Sequence, residues 1–343
     1  MPQKKLVAML TVMVAAVATV LSAQQGGGDP TYKKKRINKM IELLEAGQPV
    51  YDLSVIGGGY DEGLKLAKTH NDLIQYQMEH GPFDPQRLRE FMSGLVAGGP
   101  TKSGHLTPTV IVTLPVLGID EVSVRVNHWV IEQILSTGVH GLMLCHARNA
   151  EAVKAFVAAS RYQFARAGLK DDAIPEGLRG SGSQGFASKI WGVSGVEYVE
   201  KADPWPMNPN GELILSLKLE DKYSLANVEQ IAQVPGIAWA EWGPGDQAMS
   251  LMGLEYLKRG GGQGRSTANT PAGSGLPPIG EPKLEAARTR IFNALKANKI
   301  HILHSSNANN IEALIKWGVM VTHGPTEEVT NKGRAFTKRQ MPY

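Results

Sequence analysis

The sequence of 343 residues predicts an α/β protein built as a (β/α)8 TIM barrel, and three features point to this fold. Eight short apolar runs of strand length follow one another along the chain. Amphipathic segments lie between most of these runs, and strands that alternate with helices form parallel sheets. Eight repeats at this chain length favour a closed barrel. The alternative, a doubly wound open sheet, needs a Gly-rich phosphate-binding turn after its first strand, and Gly57-Gly58-Gly59 has the wrong spacing.

A helix is predicted over 37–45, before the first strand. The eight predicted strands cover 50–56, 73–76, 110–114, 141–145, 213–219, 237–242, 300–303 and 319–321. Helical spacing is clearest over 85–95, 150–167 and 225–234. Two segments rich in Gly, Ser and Pro, 177–212 and 260–282, are predicted to be loops. Long loops at the carboxyl end of a barrel often cover a substrate.

The first 23 residues have the pattern of a signal peptide. Lys4 and Lys5 precede an apolar stretch over 6–21, and Leu21-Ser22-Ala23 is a small-residue cleavage pattern. We expect cleavage after Ala23 and export to the periplasm or the medium, with an uncleaved anchor as the alternative. No other segment predicts a membrane span. The expected organisation is a signal peptide over 1–23, a linker over 24–36, one barrel over 37–336 and a frayed tail over 337–343.

Composition narrows the classes of function and the means of stabilisation. The net charge is +4, and the two leader lysines carry two of these charges, so the mature chain has +2. This balance gives no reason to expect nucleic acid as a partner. Cys145 is the only cysteine, which excludes an intrachain disulfide. Stability must therefore come from the core, for which 42% apolar residues suffice.

Two carboxylates follow predicted strands directly. Glu220 ends the run over 213–219, and Asp246 follows the run over 237–242 after Gly243-Pro244-Gly245. Residues beyond the carboxyl ends of parallel strands converge on one face of a barrel, and oxygen donors there favour a hard divalent cation. The alternatives are a surface ion pair or, for Asp246, the cap of a helix that begins near Gln247.

Four stretches of the chain carry a family resemblance. They are EHGPFD at 79–84, HGLML at 140–144, LEDKYSLAN at 219–227, and VPG at 234–236 running on to GPGD at 243–246. In this order they resemble the HpcH/HpaI aldolase/citrate lyase family, and in particular its class II 2-keto-3-deoxy sugar-acid aldolases. The resemblance covers about residues 38 to 336 and implies a TIM barrel of the phosphoenolpyruvate/pyruvate type.

The resemblance implies roles for individual residues. Glu220 and Asp246 match the family's metal ligands, with Mg²⁺ or Mn²⁺ expected, and His80 matches its acid/base histidine. Backbone amides around Gly243, Pro244 and Gly245 would face the carboxylate of a pyruvate-type substrate. The small-molecule partners would be a 2-keto acid and an aldehyde. The family also implies a homo-oligomer in which the segment 308–317 docks onto a neighbouring barrel.

The chain departs from the family pattern at two positions. Gln77 replaces the acidic residue of the usual Asp-Gly-Glu-His, so Glu79 is the candidate that orients His80. The third predicted strand lacks the family's arginine, and Arg125 is the candidate replacement; otherwise it is a solvent-exposed residue at a helix start. His146 follows the fourth strand and is a candidate for substrate binding, or else a packed loop residue.

The chemistry agrees with these roles. Cleavage of a 4-hydroxy-2-keto acid needs a base for the 4-hydroxyl proton and an electron sink for the enolate that remains. A chelated divalent cation is such a sink, and an imidazole can move the proton near neutral pH. Two alternatives stay open: a different metal-dependent lyase or hydrolase reaction on the same barrel, and a non-catalytic exported binding protein.

Overall fold

The computed structural model describes residues 31–166, 174–254, 276, 280–323 and 326–343. The predicted signal peptide and almost all of the predicted loop over 260–282 lie outside these residues. Among the residues that are described, no helix has the length and apolar character to cross a membrane.

Eight parallel strands close into a barrel, which confirms the predicted fold. The strand order is β4-β3-β2-β1-β9-β8-β7-β6, the pairing of β4 with β6 closes the ring, and the short β5 flanks β6. The strands are β1 Val50–Val55, β2 Leu73–Gln77, β3 Thr109–Leu117, β4 Gly141–Cys145, β5 Pro204–Trp205, β6 Leu213–Leu219, β7 Ile237–Trp242, β8 His301–Ser305 and β9 Val319–His323.

Helices connect the strands and surround the barrel. They are α1 Lys39–Glu45, α2 Tyr60–Leu66, α3 Pro85–Ala97, α4 Glu121–Val126, α5 His128–Leu135, α6 Ala150–Ala159, α7 Gln184–Trp191, α8 Gly195–Lys201, α9 Lys222–Ala226, α10 Val228–Ala232, α11 Pro244–Met252, α12 Pro282–Ala297, α13 Ile311–Trp317 and α14 Glu327–Phe336.

The prediction of a loop over 177–212 is wrong. This segment contains α7, α8 and β5, and its helices have only 8 and 7 residues. Helices this short depend on tertiary packing, which local sequence does not reveal. Trp191 supplies that packing, because its indole N–H donates to the carbonyl of Gly138 at 2.9 Å and its ring meets Tyr198 edge-on.

The interior of the barrel is apolar at its amino end and polar at its carboxyl end. Helix α1 closes the amino end with Met40 and Ile41, which share a buried cluster with Val50 of β1 and Ile214 of β6. Further along the strands the buried side chains are polar, as at Asp52. The apolar half supplies stability, and the polar half is therefore available for a site.

The segment over 308–317, predicted to dock onto a neighbouring barrel, has its apolar face covered by its own chain. Ile311 and Leu314 of α13 are fully buried, and Ile311 shares a small cluster with Tyr51 and Val329. The homo-oligomer stays a prediction.

A cluster of buried charges ties the two ends of the chain to the barrel. Asp72, directly before β2, accepts two hydrogen bonds of 2.7 Å from Arg339, and the side-chain nitrogens of Lys39 and Arg334 lie 3.0 and 3.5 Å away. Burial would raise the pKa of Asp72, but these three cations hold it far below its ordinary range. Arg339 and Met341 are buried, so the tail packs against the barrel instead of fraying as expected.

Replacement of Asp72 should be strongly destabilising. We expect Asp72→Asn to lower the free energy of unfolding by about 3–5 kcal/mol, because it leaves three buried cations without their carboxylate. Chemical denaturation followed by circular dichroism measures this change. The exposed Asp61 provides a matched control, Asp61→Asn, with an expected loss of at most about 1 kcal/mol. Equal losses in the two variants would contradict the role of Asp72.

Candidate active site

An ion-paired triplet lies at the carboxyl end of β2 and β6. Glu79 follows β2 by two residues, Lys218 lies in β6, and Glu220 follows β6 directly. The ammonium of Lys218 donates to Oε2 of Glu79 at 2.6 Å and lies 3.1 Å from Oε2 of Glu220. Burial alone would lower the pKa of Lys218, but the carboxylates of Glu220, Glu241 and Glu79 and the thiol of Cys145 raise it above its ordinary value. Lys218 is therefore a buried cation between two carboxylates.

Glu220 is fully buried and only partly satisfied. Its Oε1 accepts a hydrogen bond of 3.2 Å from the backbone N–H of His146. Its Oε2 accepts no hydrogen bond from the described residues, since the ammonium of Lys218 lies outside hydrogen-bonding geometry. Burial, then repulsion from Glu79 and Glu241, raises the pKa of Glu220 to about 7 against the opposing effect of Lys218 and His146. A buried carboxylate oxygen that accepts no hydrogen bond is unusual and indicates a functional role for Glu220.

His146 lies between the acidic groups because of an unusual backbone conformation. It follows β4 directly and has φ of 48°, a left-handed conformation that non-glycine residues rarely adopt. Its Nε2 lies 3.6 Å from Oε1 of Glu220 and 3.9 Å from Oε1 of Glu79, and its Nδ1 lies 3.4 Å from Oδ2 of Asp221. The hydrogen bond to Asp221, together with Glu220 and Glu79, raises the pKa of His146.

Asp221 fixes the geometry of this corner of the site. Its carboxylate caps α9 through the backbone N–H groups of Tyr223 and Ser224 and accepts a hydrogen bond of 2.7 Å from Nε of Arg148. Although burial would raise the pKa of Asp221, hydrogen bonds from His146, the Ser224 amide and Arg148 lower it below its ordinary range. Asp221 therefore stays ionised and anchors the imidazole of His146.

The turn before α11 packs directly on Glu220. A Cβ atom on Gly243 would lie 2.4 Å from Oε2 of Glu220, so this close approach requires glycine. Gly243 is the N-cap of α11 and makes no side-chain capping bond, and Pro244 begins the helix. The amino end of α11, with Gly245 and Asp246 in its first turn, therefore lies beside the buried carboxylate, and its positive dipole faces that region.

The structure brings some of the predicted residues together and leaves others apart. Ligand atoms of Glu79, His146 and Glu220 all lie within 4.8 Å of one another. Asp246 is half-buried, and its carboxylate makes no hydrogen bond or ion pair with the described residues, so its role as a metal ligand stays a prediction. His80 is 62% exposed, with Nε2 3.3 Å from Oε2 of Glu79.

Arg125 does not join this group. It lies in α4 with about half of its side chain exposed, and Nη1 contacts Oε1 of Glu121 at 3.2 Å, one helical turn away. This is the solvent-exposed helix arginine that the sequence left as the alternative. The physical reason is that β3 continues to Leu117, so the segment that follows it begins a surface helix.

Sequence reasoning missed Lys218 as a member of the site. The available signal was a single charged residue inside a strand whose other residues, apart from Ser216, are apolar, two residues before Glu220. Residues two apart on a strand point to the same face, which places both side chains in the barrel interior. Sequence reasoning also missed His323, whose Nδ1 lies 3.0 Å from Oδ2 of the buried Asp52.

The cluster of Glu79, His146 and Glu220 has the donors of a metal site. Carboxylate oxygens suit Mg²⁺ and Mn²⁺, and an imidazole nitrogen suits transition metals. Oε2 of Glu220 accepts no hydrogen bond from the described residues, and the ammonium of Lys218, at 3.1 Å, is its nearest positive charge. These residues fit a divalent cation.

The fold and the cluster of Glu79, His146 and Glu220 define a TIM-barrel protein with a candidate cation site at the carboxyl end of its strands. The family model described as HpcH/HpaI aldolase/citrate lyase matches residues 109–326, which is more than half of the chain. The chain belongs to the HpcH/HpaI aldolase/citrate lyase family, as the resemblance indicated.

Three similar proteins illustrate this relationship. A hydroxypyruvate/pyruvate aldolase of Sagittula stellata is 25% identical over 215 residues, which cover 62% of this chain and 70% of the relative. A 4-hydroxy-2-oxovalerate aldolase of Novosphingobium aromaticivorans is 30% identical over 197 residues, which cover 54% and 61%. A crystal structure of a family member from Burkholderia cenocepacia has a TM-score of 0.60 at 20% identity and covers 87% of this chain and 96% of that one. The structural likeness supports the fold.

Removal of the buried ammonium should destabilise the protein. We expect Lys218→Met to lower the free energy of unfolding by about 3 kcal/mol in metal-free buffer, because the buried Glu79 and Glu220 then lose their closest counter-charge. Urea denaturation gives the value. Lys222, an exposed neighbour in α9, provides the matched control Lys222→Met, for which the change should stay below about 0.5 kcal/mol. A Lys218 variant as stable as this control would refute the counter-charge role.

Proposed function

We propose that the protein is a divalent-metal-dependent carbon–carbon lyase that forms or cleaves 2-keto-3-deoxy sugar acids or related 4-hydroxy-2-keto acids. The observation that carries the proposal is the fully buried Glu220, which offers a ligand atom within 4.8 Å of those of Glu79 and His146 and whose Oε2 accepts no hydrogen bond from the described residues. The family supports lyase chemistry. The names of the relatives support a keto acid of the pyruvate type.

The proposed metal ligands follow four different strands of the barrel. Glu220 and Asp246 would hold the cation as the family resemblance implies, and Glu79 and His146 offer further donor atoms close to Glu220. A bound Mg²⁺ or Mn²⁺ supplies a Lewis acid that stabilises negative charge on the 2-keto oxygen. Lys218 balances the acidic groups, and its hydrogen bond to Glu79 holds that carboxylate in place.

The proposed position of the substrate carboxylate is the amino end of α11. This helix has nine residues, and no side-chain cap occupies its first turn within the described part of the chain. Free backbone N–H groups and the helix dipole attract a carboxylate. Gly245 and Asp246 lie one and two residues inside the helix start at Pro244, so their amides are the candidate donors. The aldehyde would occupy the remaining part of the barrel mouth.

Exchange of pyruvate protons tests the proposal directly. We expect the protein with Mg²⁺ or Mn²⁺ to exchange the methyl protons of pyruvate for deuterium, because enolate formation is the half-reaction that all these substrates share. The exchange, measured by NMR, should fall at least about 100-fold in Glu220→Gln and in Asp246→Asn. Metal content of each purified variant is measured in parallel.

The control for these variants is Glu229→Gln on the outside of the barrel. Glu229 is exposed and pairs with Arg290, so its exchange rate and metal content should match the wild type. Absence of exchange with either metal, in wild-type protein that binds the metal, would overturn the lyase proposal. It would favour either different metal-dependent chemistry or a non-catalytic binding protein, the two alternatives left open by the sequence.

We also propose that the chain is exported through its leader and acts in the periplasm or outside the cell. The support is the pattern of Lys4-Lys5, an apolar stretch and Leu21-Ser22-Ala23. When the full chain is expressed in a bacterium, N-terminal sequencing of the mature protein should begin at Gln24. Replacement of the small residue in Ala23→Arg should block cleavage and leave the leader attached. A wild-type chain that retains Met1 would contradict cleavage after Ala23.

A further inference from the structure

An aspartate and a histidine form a hydrogen-bonded pair at the seam between the first and last strands of the barrel. Asp52 lies in β1 and is fully buried, and His323 is the last residue of β9, which pairs with β1 in parallel. Nδ1 of His323 lies 3.0 Å from Oδ2 of Asp52. The side-chain amide of Gln75 donates to the same oxygen. The carboxylate is thus held in place by two neighbouring strands.

The imidazole of His323 is fixed on one side and accessible on the other. Its side chain is 39% exposed, although its partner Asp52 is fully buried. Nε2 forms no hydrogen bond with any residue that the structure describes. An imidazole oriented by a carboxylate through Nδ1 presents Nε2 in a defined direction, which is the arrangement that proton transfer requires.

The fully buried histidines of the barrel are held differently. Nδ1 of His140 accepts a hydrogen bond from the backbone N–H of Val110, and burial lowers the pKa of His140 to about 3. His105 is enclosed between Glu42 and Ser103. Because neither ring reaches solvent, both have structural roles.

His80, the histidine that the sequence favoured for proton transfer, lacks a carboxylate of its own. Its nearest acid is Glu79, at 3.3 Å, and the same Oε2 of Glu79 accepts the shorter hydrogen bond from Lys218 at 2.6 Å. With 62% of its side chain exposed, the ring of His80 is weakly oriented. His323 has the better-defined geometry.

Glu241 lies close to both the Asp52–His323 pair and the group of Glu79, Lys218 and Glu220. It lies in β7, and its carboxylate interacts electrostatically with Lys218, with His323 and with Asp52. The pair and the proposed metal ligands therefore share the same mouth of the barrel.

We propose that His323, oriented by Asp52, is a catalytic acid–base residue that carries the proton of the substrate's 4-hydroxyl group. This inference rests on the proposed function. In cleavage, Nε2 accepts the hydroxyl proton, the C3–C4 bond breaks, C4 leaves as an aldehyde, and the electron pair remains as the enolate of the 2-keto acid. In synthesis, the enolate carbon attacks the aldehyde and Nε2 returns the proton to the alkoxide. No oxidant or additional reactant is consumed.

Three charged groups act on His323, and they set the expected pH dependence. Asp52 on β1 raises the pKa of His323 most, Glu241 on β7 raises it further, and burial and Lys218 on β6 oppose them; the result is about 9. Synthesis requires the protonated imidazole of His323, because its Nε2 donates the proton to the alkoxide. Cleavage requires the neutral ring, so its rate should rise with pH up to about 9. Asp52→Asn removes the group that raises the pKa of His323 most. The increase in the cleavage rate should therefore occur at a pH lower by about one unit or more.

The test compares two reactions of the same full-length protein with Mn²⁺. Cleavage of 4-hydroxy-2-oxovalerate is followed by pyruvate release, and enolate formation by deuterium exchange into pyruvate. We expect His323→Ala to slow cleavage by about 100-fold or more and to leave exchange within about threefold of the wild type. His323→Asn, whose amide can still donate to Asp52 but cannot transfer a proton, should show the same split if the alanine variant is unstable.

The controls separate this inference from the proposed function. His128, partly exposed on α5, provides the matched variant His128→Ala, which should change neither reaction. Unchanged cleavage in the His323 variants, equal loss of both reactions, or an unshifted pH profile in Asp52→Asn would overturn the role of His323. Wild-type protein that exchanges no pyruvate protons would instead overturn the proposed function, and with it this inference.

Discussion

The burial of one carboxylate, Asp72, among three cations is the constraint on which the closed barrel depends. Lys39 belongs to the first helix, and Arg334 and Arg339 to the last helix and the tail, so the cluster joins the two ends of the chain. It lies at the start of β2, beside the seam where β1 meets β9. Closure of that seam sets the carboxyl ends of all eight strands on one rim, and the candidate site requires that arrangement.

The carboxyl end of the barrel has more acidic groups than its own cations balance. Glu79 and Glu220 contact the ammonium of Lys218, and the half-buried Glu241 interacts with it electrostatically. Burial and mutual repulsion raise the pKa of Glu220 and of Glu241, so these groups have unused capacity for a positive partner. A divalent cation would relieve the repulsion, which gives the proposed metal a physical basis in the charges of the chain itself.

The mouth of the barrel holds two groups with different chemistry: the cluster of Glu79, His146 and Glu220, and the pair of Asp52 and His323. In the proposed reaction, the carboxylates and the imidazole of His146 that follow β2, β4 and β6 would bind a cation that stabilises the enolate of the substrate. Asp52 of β1 and His323 of β9 would transfer the proton of its 4-hydroxyl group. Glu241 interacts electrostatically with Lys218 and Glu79 and also with His323 and Asp52. A change in the charge of the metal-ligand group therefore alters the electrostatic environment of the Asp52–His323 pair.

The sequence by itself determined the barrel, its eight strands and the rim positions of Glu79, His146 and Glu220, because apolar runs and the residues that end them are local properties. Only the tertiary structure decided which charged groups meet. Lys218 pairs with Glu79 across 139 residues, and His323 pairs with Asp52 across 271. Contacts between strands so distant along the chain leave no local pattern. They arise when the barrel closes, and closure also placed Arg125 on the outside.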